Sequence, residues 1–203
     1  MVIGFDELHR RIKEERLIEN LSERELQNPE GVGLDLRIGK VFRIDGSAGS
    51  LDMARDKSPQ VGSVDSPQAG KALLGVTERE TPNAISIAEY KEGQPVSVTL
   101  KPGEYLLTES VEKFNMPLDL LGILKPRTTL QRSGVFARMS AIDPGYSGTI
   151  HPALFNAGPC EVTIELGARY VNVFFLAITG TTSAYRGQWQ GGRVATDGKE
   201  TQV

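Results

Sequence analysis

The sequence predicts a mainly β chain, a distorted antiparallel β-barrel or jelly-roll-like sandwich behind one short N-terminal helix. Two observations carry this. Short β-rich runs follow one another at spacings of about ten residues, and Gly, Pro, Asn or Asp punctuates most of the gaps. Only the first stretch of the chain has an amphipathic helical period.

That stretch is residues 4–15, where Phe5, Leu8 and Ile12 recur at helical spacing among charged neighbours. Asp6 lies near its start, where a carboxylate favours the helix N-terminus. From Gly31 the period changes. Leu34, Leu36 and Ile38 alternate with Asp35, Arg37 and Gly39, the pattern of a half-buried strand. Residues 46–72 are rich in Gly, Ser, Pro and Asp and read as a loop insertion. The β-rich runs LLGVT, AISIAEY, PVSVTL, EYLLTE, LLGILK, GVFARMSAI, GTIHPALFN, EVTIEL and ARYVNVFFLAI follow. The tail from Thr181 carries Tyr185 and Trp189 in a Gly- and Gln-rich setting with Arg186 and Arg193. It reads either as a frayed terminus or as a lid over a bound anion.

With 203 residues the chain is one domain with room for an insertion and for a real core. Its formal charge is -3 and no segment concentrates Lys and Arg, so no nucleic-acid footprint is expected. A single cysteine, Cys160, permits no intrachain disulfide and points to the cytoplasm. His9 and His151 share no ligand spacing with Cys160, and the zinc motif of nucleobase deaminases is missing. The N-terminus has no long apolar run, so neither a signal peptide nor a membrane span is expected.

Three segments carry candidate chemistry. PRTTLQRSG, residues 126–134, sets Arg127 and Arg132 around the hydroxyls of Thr128 and Thr129. Guanidinium groups, hydroxyls and backbone N–H groups suit a polyphosphate, although a solvated polar turn has the same composition. In AIDPGYSG, Asp143 precedes a Pro-Gly turn. It can activate water, accept from a sugar hydroxyl, or cap the local backbone. Tyr146 can stack on a ligand or simply close the hairpin. In GVGLDLRIG, Asp35 reads as the structural partner of an arginine.

Taken in order, these segments resemble the dCTP deaminase family, part of a larger group shared with the trimeric dUTPases. The resemblance runs through GLDLRIG, LKPGEYLLTESVEKFNMPLDLLGILKPRTTLQRSG, AIDPGYSGTI, ELGARYVNVFF and the tail YRGQWQGG. It implies a single dUTPase-like nucleotide-binding domain over residues 1–180 and a flexible tail or lid over 181–203. It implies a homotrimer with active sites at subunit interfaces. The ligand would be dUTP or dCTP, with Mg²⁺ held through the substrate phosphates rather than by protein ligands. Arg127, Thr128 and Arg132 would contact phosphates or orient water, with Thr129 beside them. Asp143 and Tyr146 would lie at the deoxyribose, and Tyr185, Arg186 and Gln190 would belong to the closing tail.

One position departs from the family. Its deaminases shuttle protons with a Glu ten residues after the Asp, and here that position is Ala153. A methyl group moves no proton, and general acid–base catalysis is worth about 10²- to 10⁴-fold. Glu165 does not substitute, being twenty-two residues from Asp143. LFN at 154–156 looks more like the trimeric dUTPases, and Asp143 occupies the place of their general base. Three readings follow. One is Mg²⁺-dependent hydrolysis of dUTP to dUMP and pyrophosphate. Another is a zinc-independent dCTP deaminase whose Glu is replaced, naturally or by design. The third is a non-catalytic nucleotide-binding regulator.

Overall fold

The computed structural model describes residues 1–28, 31–53 and 77–202. Helix α1 (Phe5–Glu15) lies where the helical period predicts it. It seats Leu8, fully buried, on the core, with Phe5 and Ile12 packed beside it. A bridge strand β1 (Ile18–Glu19) and a single-turn helix α2 (Glu23–Gln27) lead to the long strand β2 (Leu34–Ile44). The remaining elements are β3 (Ser50–Met53), β4 (Thr77–Glu80), β5 (Ala84–Glu89), β6 (Ser97–Leu100), β7 (Tyr105–Ser110), β8 (Lys113–Asn115), β9 (Leu120–Pro126), α3 (Thr128–Arg132), β10 (Val135–Arg138), β11 (Ser147–Thr149), β12 (Ala153–Asn156), β13 (Val162–Glu165), β14 (Arg169–Ala177) and β15 (Glu200–Gln202).

All strand pairings are antiparallel, and the main sheet runs β10-β12-β7-β2-β14-β9, with β5 also pairing β2. With the smaller sheet β1-β8-β11 and the hairpin-like pair β13-β6 it wraps into a nearly closed barrel. The interior is filled by alternating residues of the long strands. Leu34, Leu36 and Ile38 of β2 meet Val171, Val173 and Phe175 of β14, all buried, and Phe114 packs on Phe175 with ring centroids 6.5 Å apart. Burying such a side chain is worth roughly 1.5–3 kcal/mol, so this alternation is what closes the barrel.

Three local outcomes differ from the sequence pattern. GTIHPALFN is two strands, not one: β11 pairs β8, whereas β12 pairs β7 and β10. Pro152, which has no N–H to give to a ladder, lies at the crossing between the two sheets. GVFARMSAI is strand only over β10, with an isolated bridge at Ile142. Within the stretch read as the 46–72 insertion, residues 50–53 form strand β3, and residues 54–72 lie outside the described residues. β3 pairs β4, and β4 pairs β15 of the tail, so a third small sheet joins two segments that composition alone reads as irregular. The run LLGVT also lies outside the described residues except for its last position.

Candidate active site

The DPGYSG segment is a tight turn because of two residues. Pro144 follows Asp143, Gly145 holds φ at 76°, and the Tyr146 N–H donates to the Asp143 carbonyl at 3.1 Å. This is the type II pattern, in which the third position needs positive φ. The turn leaves the Asp143 side chain exposed, and its carboxylate makes no hydrogen bond among the described residues. Of the roles open to Asp143 in the sequence, a side-chain cap is therefore not the one observed. Tyr146 is buried, its hydroxyl donates to the Thr149 carbonyl, and burial first of all pushes the phenol up to about 12.

The tail lies on this turn. The Tyr185 N–H donates to Pro144 O at 2.7 Å, and the Gly191 N–H donates to Ser147 O at 2.7 Å. Gln190 clamps the turn from both ends, accepting from the Ser147 N–H and donating to Gly145 O, each at 3.0 Å. Tyr185 meets Tyr146 edge-on at 5.5 Å. Gly148, at φ 147°, is required by this approach, since a Cβ there would lie 2.5 Å from the Gly192 nitrogen.

Between tail, turn and sheet lies a cavity of about 610 Å³, within the size range of small-molecule sites. Asp143, Tyr146 and Tyr185 line it together with His151, Arg79 and Arg193. The sheet supplies its other wall as in-register rows. One face of β12 and β7 places Ala153 opposite Leu107, and Leu107 lies opposite Phe42 of β2. The next row is polar. Thr108 N–H to Pro152 O (2.9 Å) and Ser110 N–H to Ile150 O (3.0 Å) set Glu109 opposite His151. His151 Nε2 lies 3.2 Å from Glu109 Oε2, and Lys40 lies 3.5 Å from the other Glu109 oxygen. Burial raises the Glu109 carboxyl, but His151 and Lys40 outweigh it and hold it below its ordinary value.

The arginine loop lies elsewhere. Arg127 occupies the N-cap position of α3 without a side-chain cap bond, and its side chain pairs with Asp35, which also accepts from Arg169 at 3.0 Å and from Asn172 at 3.0 Å. Asp35 is thus the arginine partner that the sequence suggests. Thr128 and Thr129 are exposed, and Arg132 lines a separate shallow depression with Cys160 and Thr163. Within one chain, then, Asp143, Tyr146, Tyr185 and Gln190 come together. Arg127, Thr128, Thr129, Arg132 and the exposed Arg186 do not line their cavity. Sequence reasoning missed Arg79, His151 and Glu109. Their signals are weak, because Arg79 lies in a polar run with no motif around it and His151 shares no ligand spacing with Cys160.

The family model for dCTP deaminase-like proteins matches residues 2–177. The chain belongs to the dCTP deaminase-like family. A dCTP deaminase of Thermococcus gammatolerans is 27% identical over 184 residues, covering 90% of this chain and 89% of that protein. The dCTP deaminase of Thermococcus kodakarensis is 35% identical over 97 residues, 47% of this chain and 63% of its own length. That of Pyrococcus abyssi is 36% identical over 104 residues, 51% of this chain and 66% of its own. The chain thus spans just under two thirds of these last two relatives. Among solved structures, the 2′-deoxycytidine 5′-triphosphate deaminase of Agrobacterium tumefaciens shares the fold. Its TM-score is 0.56 at 13% identity, covering 86% of this chain and 47% of that one. In this dCTP deaminase-like chain Ala153 is buried, cross-strand from Leu107, which lines the cavity. Among the described residues no helix is long and apolar enough to cross a membrane, and no His/Cys/Asp/Glu cluster could hold a metal ion.

Proposed function

We propose that the chain hydrolyses a pyrimidine deoxynucleoside triphosphate, cutting dUTP to dUMP and pyrophosphate in the cytoplasm. The observation that carries this is the pairing of a free carboxylate with an apolar wall. Asp143 lines the cavity without a hydrogen-bond partner among the described residues, while the sheet side of the cavity is lined by Leu107, behind which the neighbouring strand carries only the buried methyl of Ala153. Asp143 takes the proton of a water that attacks the α-phosphorus, and pyrophosphate leaves. Tyr146 and Tyr185 pack against the sugar or base end, and the docked tail with Gln190 and Arg186 excludes bulk water. Mg²⁺ would be held through the substrate phosphates rather than by protein ligands, and would supply charge neutralisation for the leaving pyrophosphate.

Arg127, Thr128, Thr129 and Arg132 act on the phosphates in a neighbouring copy of the chain. Two features support a homotrimer of this kind. The α3 loop does not line its own cavity. Phe136, Phe155 and Tyr105, 63%, 40% and 42% exposed, form one in-register aromatic row across β10, β12 and β7, an apolar surface suited to burial against another copy.

A second reading, dCTP deamination, is favoured by the names of the relatives. Incubation with Mg²⁺ and either dUTP or dCTP, followed by anion-exchange separation, decides between them. Release of dUMP and pyrophosphate from dUTP, lost about 10²- to 10⁴-fold in Asp143→Asn, is expected. Ammonia from dCTP would replace hydrolysis by deamination. Turnover of neither, with nucleotide bound, would leave a regulator.

A further inference from the structure

We infer that Arg79 is an anion-binding residue of the cavity, holding a phosphate group of the nucleotide beneath the tail. This rests on the triphosphate reading above but assigns a role to an element outside the arginine loop.

Arg79 sits on β4, between β3 and β15, where it lies in register with Leu51 on one side and Glu200 on the other. It lines the cavity that Asp143 also lines. Its Nε–H donates to the side-chain oxygen of Gln188, and its guanidinium carbon lies 5.3 Å from the centroid of the Trp189 ring. Both contacts hold the group by one edge and one face. Neither supplies a charge, and the two Nη groups have no acceptor among the described residues. A guanidinium presents five donors, so four N–H bonds remain for a ligand.

Among the described residues the ordinary alternative, a direct ion pair, is not formed. Glu200, the carboxylate nearest in register, is spent on Arg193 at 2.6 and 3.2 Å and on the Asp197 N–H at 2.9 Å. Arg193, the other cavity arginine, is therefore neutralised, whereas Arg79 has no carboxylate in ion-pair range among the described residues. A half-buried guanidinium that feels Glu200 only beyond ion-pair distance, with its Nη groups unfilled among the described residues and a tail tryptophan on its face, is suited to an oxyanion. Phosphate is the class that matches a planar fork and that the proposed substrate supplies. The arrangement also makes the tail and β4 one unit. Closing the tail seats Trp189 on Arg79, and seating Arg79 fixes the anion.

The test is calorimetric titration of the full chain with Mg²⁺ and an α,β-imido analogue of dUTP, and in parallel with 2′-deoxyuridine. Arg79→Gln is expected to weaken the analogue about 10- to 100-fold, the range of one charge-assisted pair. It should leave deoxyuridine within about twofold, and Arg79→Lys should recover part of the loss. Trp189→Leu, which loosens the tail but leaves the charge, should weaken both ligands. Equal losses of analogue and nucleoside in Arg79→Gln would reduce Arg79 to a staple for the tail and overturn the inference. An unchanged affinity for the analogue would overturn it as well. If the wild-type chain bound the analogue no better than deoxyuridine, the triphosphate reading itself would fail, an outcome separable from failure at Arg79 alone.

Discussion

Asp35→Asn is expected to destabilise the chain by about 2–4 kcal/mol. The Asp35 carboxylate, 5% exposed, accepts from Asn172 through Oδ1 and from Arg169 and Arg127 through Oδ2, while its own N–H donates to Glu25 at 2.9 Å. An asparagine keeps the bond to Asn172 and the backbone bond. It loses two charge-assisted bonds and turns an amide toward two guanidinium groups. Each such bond contributes about 1.5–3 kcal/mol when buried. The arginine side chains are 30% and 31% exposed, so water recovers part of the loss. Glu25, 3.6 Å from Arg169, recovers a little more. For a domain of this size 1 kcal/mol moves the midpoint by roughly 2–4 °C, so thermal unfolding followed by circular dichroism should fall by roughly 4–16 °C. A drop smaller than about 0.5 kcal/mol would refute the reasoning, because it would mean that the cluster linking α2, β2, α3 and β14 is no stronger than a surface pair.

Other outcomes follow from the site. Gly148→Ala should displace the tail, since the new Cβ would meet the Gly192 nitrogen at 2.5 Å and φ is 147°; trypsin should then cut faster at Arg186. Glu109→Gln should remove part of the acid sensitivity of folding. Its carboxyl is lowered in the folded chain, so its contribution is present above the ordinary carboxylate value and lost as pH falls through the folded one. Stability curves of mutant and wild type should therefore converge towards low pH. Ala153→Glu should cost about 1–3 kcal/mol, because the carboxylate is placed beside Leu107 with only Arg138 as a cross-strand cation. Ammonia release from dCTP by that variant would move the chain to the deaminase reading.

Much of the barrel was legible because its long strands alternate cleanly and its core face is apolar. Phe5, Leu8 and Ile12 marked α1, and Leu34, Leu36 and Ile38 marked β2. Asp35 broke the alternation by being buried too, and its arginine partners explain why the strand tolerates it. β3, β4 and β15 were hidden, since three- and four-residue strands in polar sequence are stabilised by pairing partners distant along the chain rather than by local pattern. The same holds for the site. The Asp143 turn announces itself through Pro144 and Gly145, a local signal. His151 and Arg79 acquire meaning only from cross-strand register, which a linear reading does not contain.

The register also shows why the proposed function turns on one strand position. Side chains two apart share a face, so His151, Ala153 and Phe155 form successive steps of one wall, about 6.5–7 Å apart. The middle step runs Arg138, Ala153, Leu107 and Phe42, of which Leu107, a hydrocarbon side chain, lines the cavity. The polar step below it is internally satisfied, with His151 Nε2 turned to Glu109 and Glu109 shared with Lys40. On the proposed reading, a pyrimidine ring resting against this middle step would meet the Leu107 side chain. The carboxylate without a hydrogen-bond partner among the described residues, Asp143, lies at the turn, and the guanidinium whose Nη donors are unfilled among them, Arg79, lies on β4. Reactive capacity in this cavity is therefore concentrated away from the ring wall. The proposed cleavage among the phosphates places Asp143, a water and Arg79 beside Mg²⁺ and the arginine loop of a neighbouring copy, whereas exchange of a ring amino group would ask for a proton shuttle at the step where the strand carries only the methyl of Ala153.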